Sequence, residues 1–316
     1  MRKASCFLSA LLAFLLLSLL CSCSHTPSDS GKYSVVTTVF PGYDFAVAAA
    51  GEDAEVTLLL PPGMESHSYE PTARDMIALQ SCDLLLCVGG ESEAWVERLM
   101  DSLPEKTTVF RMMDYVKLEE EVHDEAEEEH EHEHEEEDAY DEHVWTSPAY
   151  AALLVRKIGE TLGELDPGHR DGYTARSEAY AKEIDAIHGE FSSFFEEKPG
   201  LTLVFGDRFP FLYFAKTYDV DWLAAFPGCS GETEPSAAAM ARMIDRINED
   251  NLPVVFYLEL SNQRVAKQLA DATGASCVLF HSCHNVSAQE WKAGVTYVSL
   301  MRQNLNTLRE AYAAWH

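Results

Sequence analysis

Histidines at the ends of predicted strands are the residues best suited to chemistry in this sequence. His67 follows "LLLPPGME" in a Pro-Gly-rich turn, and His143 opens "HVWTSP" at another element boundary. His281 and His284 follow the apolar run "SCVLF". A single isolated histidine is more often structural, but three at equivalent strand ends favour a shared role. Because neutral imidazoles that converge at a cleft are the usual ligands of zinc, these positions are candidate metal ligands.

A long acidic stretch ends beside His143. Residues 119–142 hold 16 of the 53 acidic residues and no Lys or Arg. The stretch also contains four histidines: His123, His130, His132 and His134. So few apolar residues interrupt it that burial cannot offset the entropy of ordering, and we predict a disordered surface loop. Weak imidazole and carboxylate sites on such a loop would concentrate metal beside the cleft; the alternative is a solvated loop without a role.

The tract also matches a protease signature. His130-Glu131-His132-Glu133-His134 satisfies H-E-x-x-H, but that chemistry needs a helix anchored on a core, and this tract has no apolar face. No P-loop or G-x-S-x-G motif is present. We therefore predict that the protein is not an enzyme, with a zinc-dependent hydrolase as the alternative.

Charge and the first residues indicate an exported cation binder. The net charge of -30 argues against nucleic acid as a partner and favours cations. A basic start and the apolar run over residues 7–20 are typical of a secretory signal. The sequence Leu20-Cys21-Ser22-Cys23 resembles a bacterial lipobox, which predicts a lipid on Cys23; ordinary signal cleavage is the alternative.

Five cysteines remain beyond the signal and the lipid-bearing position, and their number is odd. They are Cys82, Cys87, Cys229, Cys277 and Cys283. Export permits disulfides, yet at least one of these thiols has to be free or a ligand. Cys229 with Cys283 is one predicted bridge, and Cys277 with Cys283 is a competing one.

Strand and helix patterns alternate along the chain, which predicts mainly parallel sheets covered by helices. A helical pattern from about Gly172 to Glu197 would be about 40 Å long, enough to span a domain. We therefore predict two α/β lobes joined by one long rigid helix. The predicted divisions are a signal peptide over 1–22, a lipid tether over 23–32, an N-terminal lobe over 33–170, a linking helix over 171–198 and a C-terminal lobe over 199–316.

Several motifs resemble one family. They are "TTVFPGYDFAVAAAG", "LLPPGMESHSYEPTARD", "LLLCVGGESEAWVERL", "DEHVWTSP", "VFGDRFPFLYF" and "YVSLMRQNLNTL". In this order they resemble the zinc- and manganese-specific solute-binding proteins of bacterial ABC transporters, the ZnuA/AdcA-like group. The resemblance runs from about Tyr33 to the end of the chain and implies two lobes tied by a long helix, with the metal between them.

The resemblance also implies a ligand set. His67 and His143 match the first two family histidines, whereas Gly206 stands where members carry the third, with Asp207 beside it. His281 replaces the family carboxylate, with His284 in reserve. We expect the three imidazoles of His67, His143 and His281, completed by Asp207 or water. Arg208 could neutralise that aspartate.

The expected function follows from this set. Three imidazoles with at most one oxygen suit Zn²⁺ better than Mn²⁺, although copper or nickel could compete. We expect a monomeric zinc receptor, anchored through Cys23 to the outer face of the cytoplasmic membrane or periplasmic, that passes Zn²⁺ to an ABC permease and its ATPase. The alternatives are a manganese or iron receptor on the same scaffold, and a zinc-binding adhesin or storage protein.

Overall fold

The computed structural model describes residues 31–65, 69–122, 139–226 and 235–315. A compact unit begins at Tyr33. Its strands are β1 (Tyr33–Thr37), β2 (Ala54–Leu58), β3 (Leu84–Cys87), β4 (Thr108–Arg111), β5 (Thr202–Phe205), β6 (Asp221–Ala224), β7 (Val254–Tyr257) and β8 (Ser276–Leu279). Its helices are α1 (Phe40–Ala50), α2 (Ala73–Ser81), α3 (Ala94–Leu99), α4 (Pro148–Leu165), α5 (Arg170–Glu196), α6 (Leu212–Tyr218), α7 (Ala237–Glu249), α8 (Arg264–Thr273), α9 (Ala288–Ala293) and α10 (Tyr297–Ala311).

Two four-stranded parallel sheets form the lobes. The first has the order β2-β1-β3-β4 and the second the order β6-β5-β7-β8. Central strands such as "LLLC" and "TLVF" are buried along their whole length, as expected when helices cover both faces of a parallel sheet. The predicted two-lobed α/β architecture is confirmed.

Strand order decides where a ligand can bind. In each sheet the direction of winding reverses next to the first strand, between β1 and β3 and again between β5 and β7. Open parallel sheets bind ligands outside the carboxyl ends of the strands at such a reversal. Segments that follow these strands are therefore the expected walls of a site.

The long helix predicted between the lobes is α5, whose 27 residues cover Arg170–Glu196. It packs along α4, and the two backbones approach so closely at Gly159 that an added Cβ would lie 2.2 Å from Ser177 Oγ. Buried Tyr173, Ile184 and Phe191 run along the helix and fix it to the cores. The helix is thus supported along its length by side-chain packing.

The disulfide bridges predicted for Cys283 do not form. Cys82, Cys87, Cys277 and Cys283 are all free thiols, so both predicted bridges to Cys283, from Cys229 and from Cys277, are wrong. Cys277 belongs to strand β8, whereas Cys283 lies in a buried turn beyond the strand end. Cys229 lies outside the described residues, as do the predicted signal, Cys23 and most of the tether. Within the part of the chain that is described, no helix has the length and apolar character that crossing a membrane requires.

A buried carboxylate joins the two lobes and the linking helix. Asp44 on α1 accepts hydrogen bonds from the Tyr180 hydroxyl on α5 and from the Tyr297 backbone N–H at the start of α10. Burial raises the pKa of Asp44 to about 6, against the lowering effect of these two hydrogen bonds. An ionised Asp44 at neutral pH therefore costs folding free energy.

Replacing Asp44 by Asn should change the pH dependence of stability. Because the pKa of this carboxyl rises from 3.8 to about 6 on folding, its contribution is fully present below pH 3.8 and is lost as the pH rises through 6. We expect wild-type stability relative to Asp44→Asn to fall by about 2 kcal/mol between pH 4 and pH 7, measured by urea unfolding. The exposed control Asp101→Asn should show no such trend. A difference that stays constant with pH would contradict this account.

Candidate metal centre

A cavity of about 290 Å³ opens between the lobes at the carboxyl ends of the strands. Its walls come from the segments after β2, β5, β6, β7 and β8, from the segment before α4 and from the start of α8. The lining residues are Met64, Glu65, His143, Gly206, Asp207, Arg208, Pro210, Phe226, Leu258, Glu259, Leu260, Ser261, Asn262, Arg264, Val265, Ser282, His284 and Asn285. The cavity thus lies where the strand order predicts a ligand site.

His143 is held in place by a carboxylate. It precedes a short 3₁₀ turn over Val144–Thr146 and is buried, with 3% of its surface exposed. Asp141 Oδ1 accepts the His143 backbone N–H at 2.8 Å and lies 3.2 Å from its Nδ1. A carboxylate on Nδ1 fixes the ring orientation and tautomer, as it does for histidines that bind zinc.

His284 is presented by a strained turn after β8. Cys283, a buried non-glycine residue, adopts φ +63° just before it. The turn is fixed from behind because Ser282 donates both its backbone N–H, at 2.8 Å, and its hydroxyl to the Glu259 carboxylate. Strain of this kind persists only where the surroundings determine the conformation, and here Glu259 from the β7 end supplies that constraint.

The two imidazoles from different lobes lie side by side. The ring centroids of His143 and His284 are 5.2 Å apart and the rings are nearly perpendicular. The Trp145 indole packs against both, at 5.4 and 4.9 Å. Trp145 also donates its Nε1–H to the Ser282 carbonyl at 2.9 Å, while its own carbonyl accepts the Tyr297 hydroxyl. This indole thus bridges the two segments that carry the histidines.

His281 is placed behind the cavity wall and is not among the lining residues. It is 1% exposed, and its Nδ1 accepts the Cys283 backbone N–H at 2.9 Å. Burial opposes protonation, but the carboxylates of Glu259 and Glu290 outweigh it, so the pKa of His281 is raised. Contact with His281 lowers the pKa of Glu290 to about 2. The structure therefore brings the reserve residue His284, rather than His281, to His143.

Asp207 and Arg208 also line the cavity, next to Gly206. Asp207 accepts backbone N–H groups from Arg208 at 3.0 Å and from Leu258 at 3.3 Å. The expected side-chain pairing of Arg208 with Asp207 is replaced by a contact across the cleft, because Arg208 Nη1 lies 3.7 Å from Glu65 Oε1. A Cβ at Gly206 would lie 2.3 Å from Ala266 Cα, so helix α8 fills the space that a histidine here would need.

His67 lies outside the described residues, but the segment before it is fixed. Asn285, next to His284, donates its amide to the carbonyls of Pro61 and Met64 at 2.9 and 2.8 Å. The Gly63 N–H donates to Val286 O at 2.7 Å. The chain that leads to His67 is therefore tied to the segment that carries His284.

The ends of the acidic stretch are ordered, unlike our prediction of disorder over all of residues 119–142. Glu120 pairs with Tyr140 in an antiparallel bridge, with hydrogen bonds on both sides of it. Tyr213 from the other lobe accepts the Glu119 N–H and donates its hydroxyl to the Asp141 carbonyl. A hairpin stem thus ends at the carboxylate that holds His143. The loop histidines His123, His130, His132 and His134 lie outside the described residues.

Sequence reasoning missed Asp141, Trp145 and Glu259. An acidic residue two positions before a candidate ligand, as in "DEHVW", could have indicated Asp141. Glu259 had no local signal, because its role arises from strand order. Among the described residues, no three His, Cys, Asp or Glu side chains are close enough together to hold a metal by themselves.

Comparison with known proteins establishes the family. The model of ZnuA, described as the periplasmic component A of the zinc-uptake complex, matches residues 35–311. The chain belongs to the ZnuA family. This ZnuA family member is 32% identical over 291 residues to the high-affinity zinc uptake system protein ZnuA of Bacillus subtilis, covering 90% of this chain and 89% of that protein. The resemblance seen in the motifs is confirmed.

Two further matches concern zinc-binding proteins. The chain is 30% identical over 317 residues to the zinc-binding lipoprotein AdcA of Streptococcus pneumoniae. That match covers 98% of this chain but 61% of AdcA, so the chain spans about three-fifths of that relative. The Zn(II)-bound ZnuA-like domain of AdcA from the same species superposes with a TM-score of 0.73 at 26% identity, covering 89% of this chain and 99% of that domain.

Removing the charge of Asp141 should weaken metal binding through His143. With Asp141→Asn we expect zinc affinity to fall about tenfold, because a carboxylate behind a ligand histidine raises its basicity and fixes its ring. Competition with a chromophoric chelator measures this loss. Asp114→Asn, at an exposed position away from the cavity, should leave the affinity unchanged. A loss of thermal stability at unchanged zinc affinity would mean that Asp141 only supports the hairpin stem.

Proposed function

We propose that this protein is an extracytoplasmic receptor that captures Zn²⁺ in the cleft between its lobes and delivers it to an ABC importer. The observation that carries the proposal is the separation of the His143 and His284 rings. With Zn–N bonds of 2.0–2.1 Å, each ring centroid lies about 3.2 Å from the metal, and a tetrahedral angle then separates two centroids by about 5.2 Å. The two rings are 5.2 Å apart.

The proposed ligands are His67, His143 and His284. His143 would bind through Nε2, because Asp141 lies against its Nδ1. Met64 and Glu65, which line the cavity, precede His67 by three and two residues. His281 is left out because its ring lies behind the wall, against Cys283 and Glu290. Its role would be to support the turn that presents His284.

Zinc is the proposed metal because the donors are mainly nitrogen. Mn²⁺ prefers carboxylate, carbonyl and water oxygens, whereas imidazole suits zinc. The carboxylate oxygens of Asp207 and Glu259 already accept hydrogen bonds from neighbouring groups. The family relationship to zinc-uptake proteins agrees with this choice.

The acidic loop would collect metal ions near the cleft. Its ordered stem ends at Asp141, two residues before His143. The histidines between residues 122 and 139 are therefore close to the cleft in sequence. Weak sites on the loop would then raise the local zinc concentration.

Export and delivery complete the proposal. The lipobox-like Leu20-Cys21-Ser22-Cys23 supports a lipid on Cys23, and relatives are named lipoproteins or periplasmic components. The receptor would pass its ion to a membrane permease driven by a separate ATPase. It would bind and release metal without catalysing a reaction.

Substitution of the cleft histidines tests the ligand set. We expect His143→Ala and His284→Ala each to weaken zinc binding by on the order of 100-fold or more, since each removes a direct ligand. His281→Gln is the matched control and should change zinc affinity less than tenfold while lowering the melting temperature, because the buried ring supports a turn. Chelator competition gives the affinities, and added Mn²⁺ should fail to displace zinc at equal concentration. A greater loss of zinc affinity with His281→Gln than with His284→Ala would mean that His281 is the ligand and His284 is not.

Shortening the loop tests its separate role. Replacing residues 123–138 by a short Gly-Ser linker keeps the stem and should leave one tight site of unchanged affinity, with the weaker sites lost in calorimetric titration. A companion variant in which His123, His130, His132 and His134 become Asn keeps the carboxylates and separates the effect of imidazole from that of charge. Loss of all tight binding on shortening would favour a storage role centred on the loop.

A further inference from the structure

The cavity is much larger than a metal ion needs. A bare ion held by protein side chains fills no more space than a water molecule, whose share of liquid volume is about 30 Å³. The cavity holds about 290 Å³ next to His143 and His284. A group of several non-hydrogen atoms therefore has room beside a bound zinc.

The wall formed by Gly206 and Asp207 carries no imidazole. Gly206 faces the cavity, and any side chain at this position would collide with the backbone of Ala266 on α8. Asp207, the next residue, directs its two oxygens to backbone N–H groups of its own lobe. A zinc bound by imidazoles would keep an open coordination position on this side, as zinc sites that accept an exogenous ligand do.

The same wall carries two arginines although the chain as a whole carries -30. Arg208 and Arg264 both line the cavity, beside the carboxylates of Asp207 and Glu259. Arg264 is also the first residue of α8, and its backbone N–H donates to Asn262 Oδ1 at 2.9 Å, so the positive end of this ten-residue helix is partly capped. Planar guanidinium groups and a helix N-terminus are the groups that bind carboxylates best.

The negative side chains in the cavity accept hydrogen bonds or lie near an arginine. Glu259 accepts both hydrogen bonds from Ser282, and Asp207 is held by its backbone partners. Glu65 reaches Arg208 only at 3.7 Å, and its side chain is 53% exposed. A ligand carboxylate could therefore replace Glu65 on Arg208 at little cost, because such exposed pairs are worth little.

We propose that the cleft takes up zinc together with a small carboxylate-bearing chelator, which fills the open coordination position and pairs with Arg208. This inference rests on the proposed zinc function and specifies the form in which the metal is captured. The imidazoles bind the ion, and Arg208 recognises the anion that accompanies it. A chelator then becomes part of the cargo instead of a competitor for it.

Citrate is the probe, and the measured quantity is the ratio of apparent zinc affinities of the full chain with and without it. Simple competition lowers the affinity by a factor fixed by the zinc–citrate stability constant. We expect the wild type to lose about tenfold less than that factor, since one bidentate charge-assisted contact contributes about this much. Native mass spectrometry should show one zinc and one citrate on the same chain.

Two arginine variants locate the effect. Arg208→Gln should lose affinity by the full competitive factor and show no species with citrate. Arg302→Gln, which removes an exposed arginine on α10, should behave as the wild type. Full competition in the wild type with tight binding of zinc alone would overturn this inference and leave the zinc receptor intact. Absence of tight zinc binding under either condition would overturn the proposed function itself.

Discussion

The hydrogen bond from the Trp145 indole to the Ser282 carbonyl joins the two halves of the candidate site. Trp145 follows His143 by two residues, and Ser282 precedes His284 by two, so this contact sets the distance between the rings. Glu259 holds Ser282 from the other side, because its carboxylate accepts the Ser282 backbone N–H. A buried polar network that is satisfied on both faces specifies one arrangement, because any shift leaves a buried group without a partner. The close placement of the His143 and His284 imidazoles therefore depends on Ser282 being held in position.

Asp141 connects the acidic stretch to the same network. Its side chain orients His143, its carbonyl accepts the Tyr213 hydroxyl, and its N–H pairs with Glu119 across the stem. One residue thus belongs both to the base of the loop and to the support of a proposed ligand. The insertion therefore begins and ends beside the segment that carries His143.

The fold could be predicted from sequence to a large extent, and the site only in part. Apolar β-branched runs, the capping residue Thr72 and the long unbroken pattern of α5 are local signals, and each corresponds to an observed element. Choosing between His281 and His284 was beyond such signals, because both follow the same strand and differ through the left-handed backbone at Cys283 that lies between them. The role of Glu259 depends on β7 lying beside β8 in the sheet. The spacing of residues along the chain does not reveal that pairing. The Cys277–Cys283 prediction was wrong for the same reason, since nearness in sequence does not fix where side chains point.

The contacts beneath the cleft limit how the two lobes can move. Besides the Trp145–Ser282 bond, the Phe40 N–H donates to the His284 carbonyl, and Asn285 holds the turn at Pro61. Asp44 adds a buried contact from the first lobe to the start of α10. Separating the lobes about α5 would break all of these, at about 1 kcal/mol for each neutral bond and more for the charged one. A rearrangement confined to side chains at the rim, such as exchange of Glu65 for another carboxylate on Arg208, breaks an exposed pair rather than these buried bonds. On energetic grounds, therefore, ion capture by the proposed receptor should involve local side-chain changes at the rim of the cleft, while the contacts beneath it stay intact.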